Sequence, residues 1–305
     1  MSDEWDGLLA IDKPAGPTSH DLVARVRTAI GSRRVGHTGT LDPSATGLLL
    51  LVLGNATRLA RFVPDAPKAY QGELVLGITT TTDDIAGDVV SRHVGPLPVA
   101  EVVISAAAGY LGAQRQVPPA FSARQVNGTR LYRSARRGIV LDAPATEIVV
   151  DRFEVAPSGS AERFSYRMVV STGTYVRAIV RDLGRALGCG AAVASLRRTA
   201  IGPFNVDEAL FPPAEREALL DAVRRHLIPV DAMPLDLPSI ALGSPFDAMR
   251  FAAGGVVTME ATVPGQSALT AVRDDGGRLL GVGQRGDGTL RPRTVLPWEP
   301  NARPD

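Results

Sequence analysis

The 305-residue sequence contains one cysteine, Cys189. A single thiol makes no internal disulfide and no thiolate cage for zinc, so stability has to come from packing. Histidine is nearly as scarce: His20, His37, His93 and His226 are scattered, with none of the His-x-x-x-His or His-Glu-x-x-His spacings that set two ligands on one helix face. A metal site would need distant carboxylates to complete it, so none is expected. Long apolar runs are also missing. The longest aliphatic stretch, Leu48 to Leu53, is closed by Gly47 and Gly54, far short of the roughly 20 residues that cross a bilayer. The acidic opening, Met1 to Asp6, lacks the basic and apolar regions of a secretory signal. A cytoplasmic protein without membrane association is the expectation. Charge of neither sign dominates: 33 Lys and Arg against 32 Asp and Glu give +1, which neither requires nor excludes nucleic acid.

With 45% hydrophobic and 21% charged residues, the composition is that of a folded globular protein, and the length suggests about two domains. Leu8 to Ile11 reads as a strand ended by Lys13-Pro14-Ala15-Gly16-Pro17. A helix follows, with Thr18 or Ser19 as N-cap, Leu22, Val26 and Ile30 on one face, and Gly31 as the stop. Residues 48–53, 70–78, 148–155 and 164–170 have strand character, whereas 99–111, 174–187 and 214–227 have that of helices. Strands and helices mix without the strict alternation of a doubly wound sheet, so the fold class is α+β. Pro229, Pro234 and Pro238 mark a boundary, giving units of 1–234 and 235–305. The second reads as a small all-β module, its strands separated at 274–277 and 285–288.

Charge is concentrated locally. Arg124, Arg130, Arg133, Arg136 and Arg137 occur without an acid between them, and Arg177, Arg181, Arg185, Arg197 and Arg198 form a second group interrupted mainly by Asp182. Guanidinium groups at such intervals suit a phosphate backbone, although arginine runs also occur on plain solvated faces. Between the first helix and the aliphatic strand lies the densest motif, Gly36-His37-Thr38-Gly39-Thr40-Leu41-Asp42-Pro43-Ser44-Ala45-Thr46-Gly47. It lacks the lysine and glycine spacing of a phosphate-binding loop. What it offers is one carboxylate, Asp42, on a turn stiffened by Pro43; capping that turn is the alternative role.

This motif resembles the Gly-His-Thr-Gly-x-Leu-Asp-Pro-x-Ala-x-Gly-x-Leu signature of the tRNA pseudouridine synthase B family. Asp12-Lys13-Pro14-x-Gly16, Lys68-Ala69-Tyr70, Gly173-Thr174-Tyr175-Val176-Arg177 and Leu196-Arg197-Arg198 support the resemblance in order. It implies a mixed, largely antiparallel sheet flanked by helices, plus a C-terminal RNA-binding module of the PUA type. It also implies an enzyme that isomerises the T-loop uridine of tRNA, position 55 in tRNA numbering, to pseudouridine without a cofactor. Its partner would be the tRNA T-arm, met by a monomer with no obligate protein partner. Asp42 is implied as the group that starts the reaction, by attack at C1′ or C6 or by proton abstraction from the sugar. Arg177 is implied as its ion-pair partner, Tyr70 as the tyrosine packed on the extruded base, Tyr175 and Leu196 as pocket walls, and His37 as a filler of space beside the extruded nucleotide. Arg130 and Arg133 are placed on RNA, and Lys13 either supports the loop or meets a phosphate. One position departs from the family: Thr81 stands where an acid is usual in Thr80-Thr81-Thr82-Asp83-Asp84-Ile85-Ala86-Gly87. Two other readings compete: a noncatalytic RNA-binding or RNA-folding protein on the same scaffold, and a base-removing glycosidase, which would want a second acid near Asp42.

Overall fold

The structure is a computed structural model that describes residues 4–122, 124–126, 128–135, 137–139, 143–259 and 268–298. The chain opens with β1 (Gly7–Lys13), α1 (Ser19–Ile30), β2 (Val35–His37) and β3 (Thr46–Leu53), followed by β4 (Lys68–Leu76) and the hairpin β5 (Ile78–Thr80) and β6 (Val89–Arg92). Then come α2 (Ala100–Ala108), β7 (Gly112–Gln116), the small hairpin β8 (Gln125–Val126) and β9 (Thr129–Arg130), and α3 (Leu131–Ala135). The long strands β10 (Thr146–Ser158) and β11 (Ser160–Val170) precede α4 (Val176–Ala186), β12 (Ala191–Ile201), β13 (Phe204–Asn205), α5 (Arg216–His226) and β14 (Ile228–Pro229). The chain continues with β15 (Ser239–Ala241), α6 (Pro245–Ala252), β16 (Val257–Thr258), β17 (Ala268–Arg273), β18 (Leu279–Gly286) and β19 (Thr289–Val295). No helix among the described residues is long and apolar enough to cross a membrane.

Ten strands form one sheet, ordered β14-β1-β3-β12-β4-β11-β10-β7, with β2 on β3 and β13 on β12. All its pairs are antiparallel except β3 with β12, so the α+β reading holds. The aliphatic run of β3 has a simple cause. Leu49, Leu51 and Leu53 pack under α1 and α5, while Leu48, Leu50 and Val52 join a second cluster on the opposite face. A strand covered on both faces needs apolar residues at every position. Farther along the sheet only one face is covered. In β11, Phe164, Tyr166, Met168 and Val170 are buried while Ser165 and Arg167 face solvent, the alternation expected of a half-buried strand. Helices α2 and α4 cover that buried face.

The end signals of α1 work as the sequence suggests. Thr18 Oγ1 accepts from the Asp21 amide, the Asp21 carboxylate accepts from the Thr18 amide, and Gly31 closes the helix at φ 66°. The reading of 99–111 as helix is too long, because α2 ends at Ala108 and Gly112, at φ 89°, already begins β7.

Five strands, ordered β15-β17-β18-β19-β16, make the second sheet. The all-β reading of this part misses α6, which Ser244 caps and Pro245 starts, a helix too short to show a periodic pattern. The expected break at 285–288 is a tight turn: β18 runs to Gly286, and Asp287 and Gly288, at φ 51° and 65°, return the chain into β19. Strands of the large sheet end at Pro229 and those of the small one start at Ser239. Ala271, Leu279, Val282 and Leu296 nevertheless belong to the cluster that contains Leu8, Leu48, Leu50 and Val52, so the two sheets share a core.

Candidate active site

Asp42 stands on the loop between β2 and β3, and the loop is fastened from several sides. Ser19 Oγ, at the start of α1, accepts from the Leu41 amide at 3.0 Å and donates to the Leu41 carbonyl at 3.2 Å. The Gly16 amide donates to the Pro43 carbonyl, and Ala45 N closes the turn on the Asp42 carbonyl. Below the loop lie two buried cations. Lys13, fully buried, donates from Nζ to the carbonyls of Pro14, Pro43 and Ala45 at 2.9, 3.2 and 2.7 Å. Arg198, 2% exposed, donates from Nε to the Leu48 carbonyl at 2.7 Å and from its terminal nitrogens to Thr40 and Gly39 at 3.4 and 3.3 Å. Gly47 lets the loop close on β12: at φ 100°, a Cβ there would sit 2.2 Å from the Arg198 carbonyl oxygen. Burial lowers the pKa of Lys13 from 10.5 to about 8, and the carboxylates of Asp42 and Asp21 limit the fall.

From the first turn of α4, Arg177 reaches the loop. Its Nε lies 2.9 Å from Asp42 Oδ2, and its two terminal nitrogens donate to the carbonyls of Thr82 at 2.6 Å and Phe121 at 3.0 Å. Each of the three guanidinium nitrogens is therefore engaged. The pair faces a pocket of about 240 Å³ whose walls include Tyr70, Tyr175, Leu196 and Lys68. Tyr70 comes from β4 and Leu196 from β12, which pair with each other, whereas Tyr175 is the residue before α4. An adjoining cavity of about 440 Å³, lined by His20, His37, Phe121, Gln125 and Tyr132, also reaches Asp42. The rings of His20 and His37 meet edge to face at 5.2 Å. Burial, with smaller contributions from His20 and Arg198, lowers the pKa of His37, so it is neutral near pH 7.

Five expected site residues, Asp42, Tyr70, Tyr175, Arg177 and Leu196, thus line one pocket, and His37 lines its neighbour. For Lys13, left open between loop support and a phosphate contact, the lack of exposed surface and the three carbonyls on its ammonium favour the first. Arg133 is exposed on α3, outside the lining of the pocket. The side chain of Arg130 and all of Arg136 lie outside the described residues. Thr81, where an acid was expected, closes its loop with a hydroxyl: Oγ1 accepts from the Asp88 amide at 3.1 Å, and the Thr81 amide donates to the Asp88 carbonyl. The sequence reading missed Arg198 as the prop of the loop. Its signal was available, because two successive arginines in one strand face opposite sides and one must turn inward. Arg197 is the outward one, bidentate to Asp12 at 2.9 and 2.8 Å.

A second carboxylate comes near: Asp84 shares a small cleft of about 30 Å³ with Asp42. Its Oδ1 is already occupied by the Thr82 hydroxyl and the Ala86 amide, and it does not line the larger pocket. Among the described residues, no group of three or more His, Cys, Asp or Glu is placed to hold a metal ion.

Comparison with known proteins agrees along most of the chain. Residues 27–176 match the family model described as TruB family pseudouridylate synthase, N-terminal domain, and residues 177–233 match that of the tRNA pseudouridylate synthase B C-terminal domain. A relative from Acaryochloris marina, called tRNA pseudouridine synthase B, is 40% identical over 293 residues, covering 95% of this chain and 99% of its own. Another of that name from Opitutus terrae is 43% identical over 228 residues, covering 74% and 94%. Among solved structures, a chain of a Cbf5-Nop10-Gar1 complex superposes with a TM-score of 0.69 over 96% of this chain and 85% of that one. At 22% identity the likeness is one of fold.

Proposed function

The chain belongs to the TruB family of pseudouridylate synthases and isomerises uridine to pseudouridine in tRNA; from that premise we propose that its target is the T-loop uridine at position 55 and that Asp42 starts the reaction. The observation that carries the second part is the Asp42–Arg177 ion pair facing a pocket walled by Tyr70, Tyr175 and Leu196.

The reaction breaks the N1–C1′ bond, turns the uracil and joins C5 to C1′. A proton leaves C5, and N1 gains one, so neither redox change nor water is involved. Attack at C1′, attack at C6 and proton abstraction from the sugar all need an anionic oxygen in a fixed place. Asp42 provides the oxygen, and Arg177, Lys13 and Arg198 fix it. A T-loop uridine is stacked and has to be turned out of the RNA; Tyr70 packs on the extruded base, while Tyr175 and Leu196 enclose it. His37 occupies the adjoining cavity in its neutral form. In this reading residues 1–234 are the catalytic unit, and 235–305 are a PUA-type module that grips the tRNA together with Arg130 and Arg133. The protein works on the T-arm as a monomer.

The test is incubation with unmodified tRNA, followed by nucleoside analysis and mass measurement of the intact RNA. Pseudouridine in the T-loop with unchanged RNA mass supports the reading. Loss of uracil mass would mean a base-removing enzyme, and a bound but unaltered tRNA would mean a binder.

A further inference from the structure

Buried hydroxyl groups in native proteins nearly always have a hydrogen-bond partner. Ser122 does not. It is 4% exposed, and its Oγ has no partner among the described residues. The position is well held all the same: the Ser122 carbonyl accepts from the Tyr132 amide at 3.1 Å, and the carbonyl just before it, that of Phe121, accepts from Arg177.

Ser122 also lies at a particular place. It lines both the pocket that faces Asp42 and the adjoining cavity, a position shared with Thr40, Leu41 and Asp42. Of these four, Leu41 is apolar, Thr40 is exposed and Asp42 is paired with Arg177. Ser122 therefore carries the buried, unused hydrogen-bonding group at this boundary. If the uracil sits between Tyr70 and Leu196 while its RNA strand enters through the adjoining cavity, the sugar crosses the same boundary. Asp42 has to address the glycosidic bond there. The sugar group next to C1′ that both donates and accepts is the 2′-hydroxyl.

We propose that Ser122 Oγ hydrogen-bonds the ribose 2′-hydroxyl of the target nucleotide, so that C1′ is held against Asp42 and RNA is preferred over DNA at this position. The inference rests on the reading of this pocket as the uridine site. Substrate supplies the partner that the free protein lacks.

The experiment is a cycle between protein and RNA. Two T-arm hairpins, identical except for uridine or 2′-deoxyuridine at the target position, are titrated into Asp42→Asn protein and into Asp42→Asn/Ser122→Ala protein, which keeps turnover out of the binding measurement. The deoxy substitution should weaken binding to the first protein by about fivefold, the worth of one neutral hydrogen bond. Removing the hydroxyl should cost the ribose hairpin about as much, after which the deoxy substitution should cost less than about twofold. Ser122→Cys, close in volume and a weaker donor, should fall between. Thermal unfolding of Ser122→Ala should occur no lower than that of the parent, since no bond within the protein is lost. An equal deoxy penalty in both proteins overturns the proposal, as does a lowered unfolding temperature with unchanged affinity. Pseudouridine formation by the wild-type protein on the ribose hairpin is followed in parallel. Its absence would bring down the uridine-site reading itself, whereas its presence with an equal penalty overturns only the role of Ser122.

Discussion

Asp42 is one of 32 acids in the chain, and what sets it apart is its surroundings. Three cations converge on its loop: Arg177 reaches the carboxylate itself, whereas Lys13 and Arg198 are spent on backbone carbonyls of the loop and β3. The first was legible through the family resemblance, whose separate motifs at 36–47 and 173–177 contain the two partners. The other two were not, because a basic residue in a motif reads equally well as a phosphate contact or a structural donor, and burial decides between them. Arg198→Lys keeps the charge but loses the fork that spans Leu48, Thr40 and Gly39. Single-turnover pseudouridine formation should slow by about tenfold or more, and stability should fall by about 1–3 kcal/mol for the orphaned carbonyls; unchanged rate and unfolding temperature would remove the prop. Lys13 makes a prediction about pH. Folded, it releases its proton near pH 8, whereas the unfolded chain holds it to about 10.5. Between those values the unfolded state binds more protons, so this group raises stability as pH rises. The loop, however, loses an N–H donor and a positive charge beside Asp42. The single-turnover rate should therefore fall above about pH 8 with no loss of stability from this source. Lys13→Met, slower throughout, should lack that limb.

Elements place these residues as the sheet dictates. The double covering of β3 made its apolar run legible, and the caps of α1 did the same for both ends of that helix. Legibility failed where tertiary packing set the boundary. The end of α2 is fixed by Gly112 entering an edge strand, and α6, at eight residues, is held by packing around Phe251. A similar limit applies to the arginine-rich segment. Arg133 on α3 and Arg137 just after it are exposed, and Arg124 is half-buried. Replacing all three by Ala should weaken tRNA binding and reduce the slope of log affinity against log salt by about one unit for each phosphate left without its guanidinium. A folded variant with wild-type affinity and slope would make this a solvated face with no part in RNA binding.

At the scale of the whole molecule, the small sheet is fastened to the large one. Beyond the shared core, the Asp231 carboxylate accepts from the Leu279 amide and its carbonyl accepts from Arg273, while Arg61 donates to Thr294. Deleting residues after Pro238 removes Ala271, Leu279, Val282 and Leu296 from the cluster they share with Leu8, Leu48 and Leu50, so the truncated protein should unfold at a lower temperature as well as bind tRNA more weakly. The proline-rich boundary in the sequence gives no sign of this coupling, because residues from 8 to 296 meet in one cluster. Every residue assigned to the chemistry lies before the boundary, and whatever truncated protein remains folded should keep part of its rate at saturating RNA. Loss of all chemistry with RNA still bound would place part of the site in the C-terminal module.

Position-resolved, single-turnover pseudouridine formation in an unmodified tRNA, run with the wild-type protein and with Asp42→Asn, tests the assignment of Asp42 most directly. The asparagine keeps the volume and can still hydrogen-bond the loop, yet it has no anionic oxygen. One pseudouridine, in the T-loop, is expected from the wild-type protein and none from the variant. The variant should unfold at a similar temperature and bind tRNA within about tenfold of wild type, equivalent to roughly 1.4 kcal/mol. A folded Asp42→Asn protein that forms pseudouridine at near the wild-type rate would remove Asp42 from the chemistry.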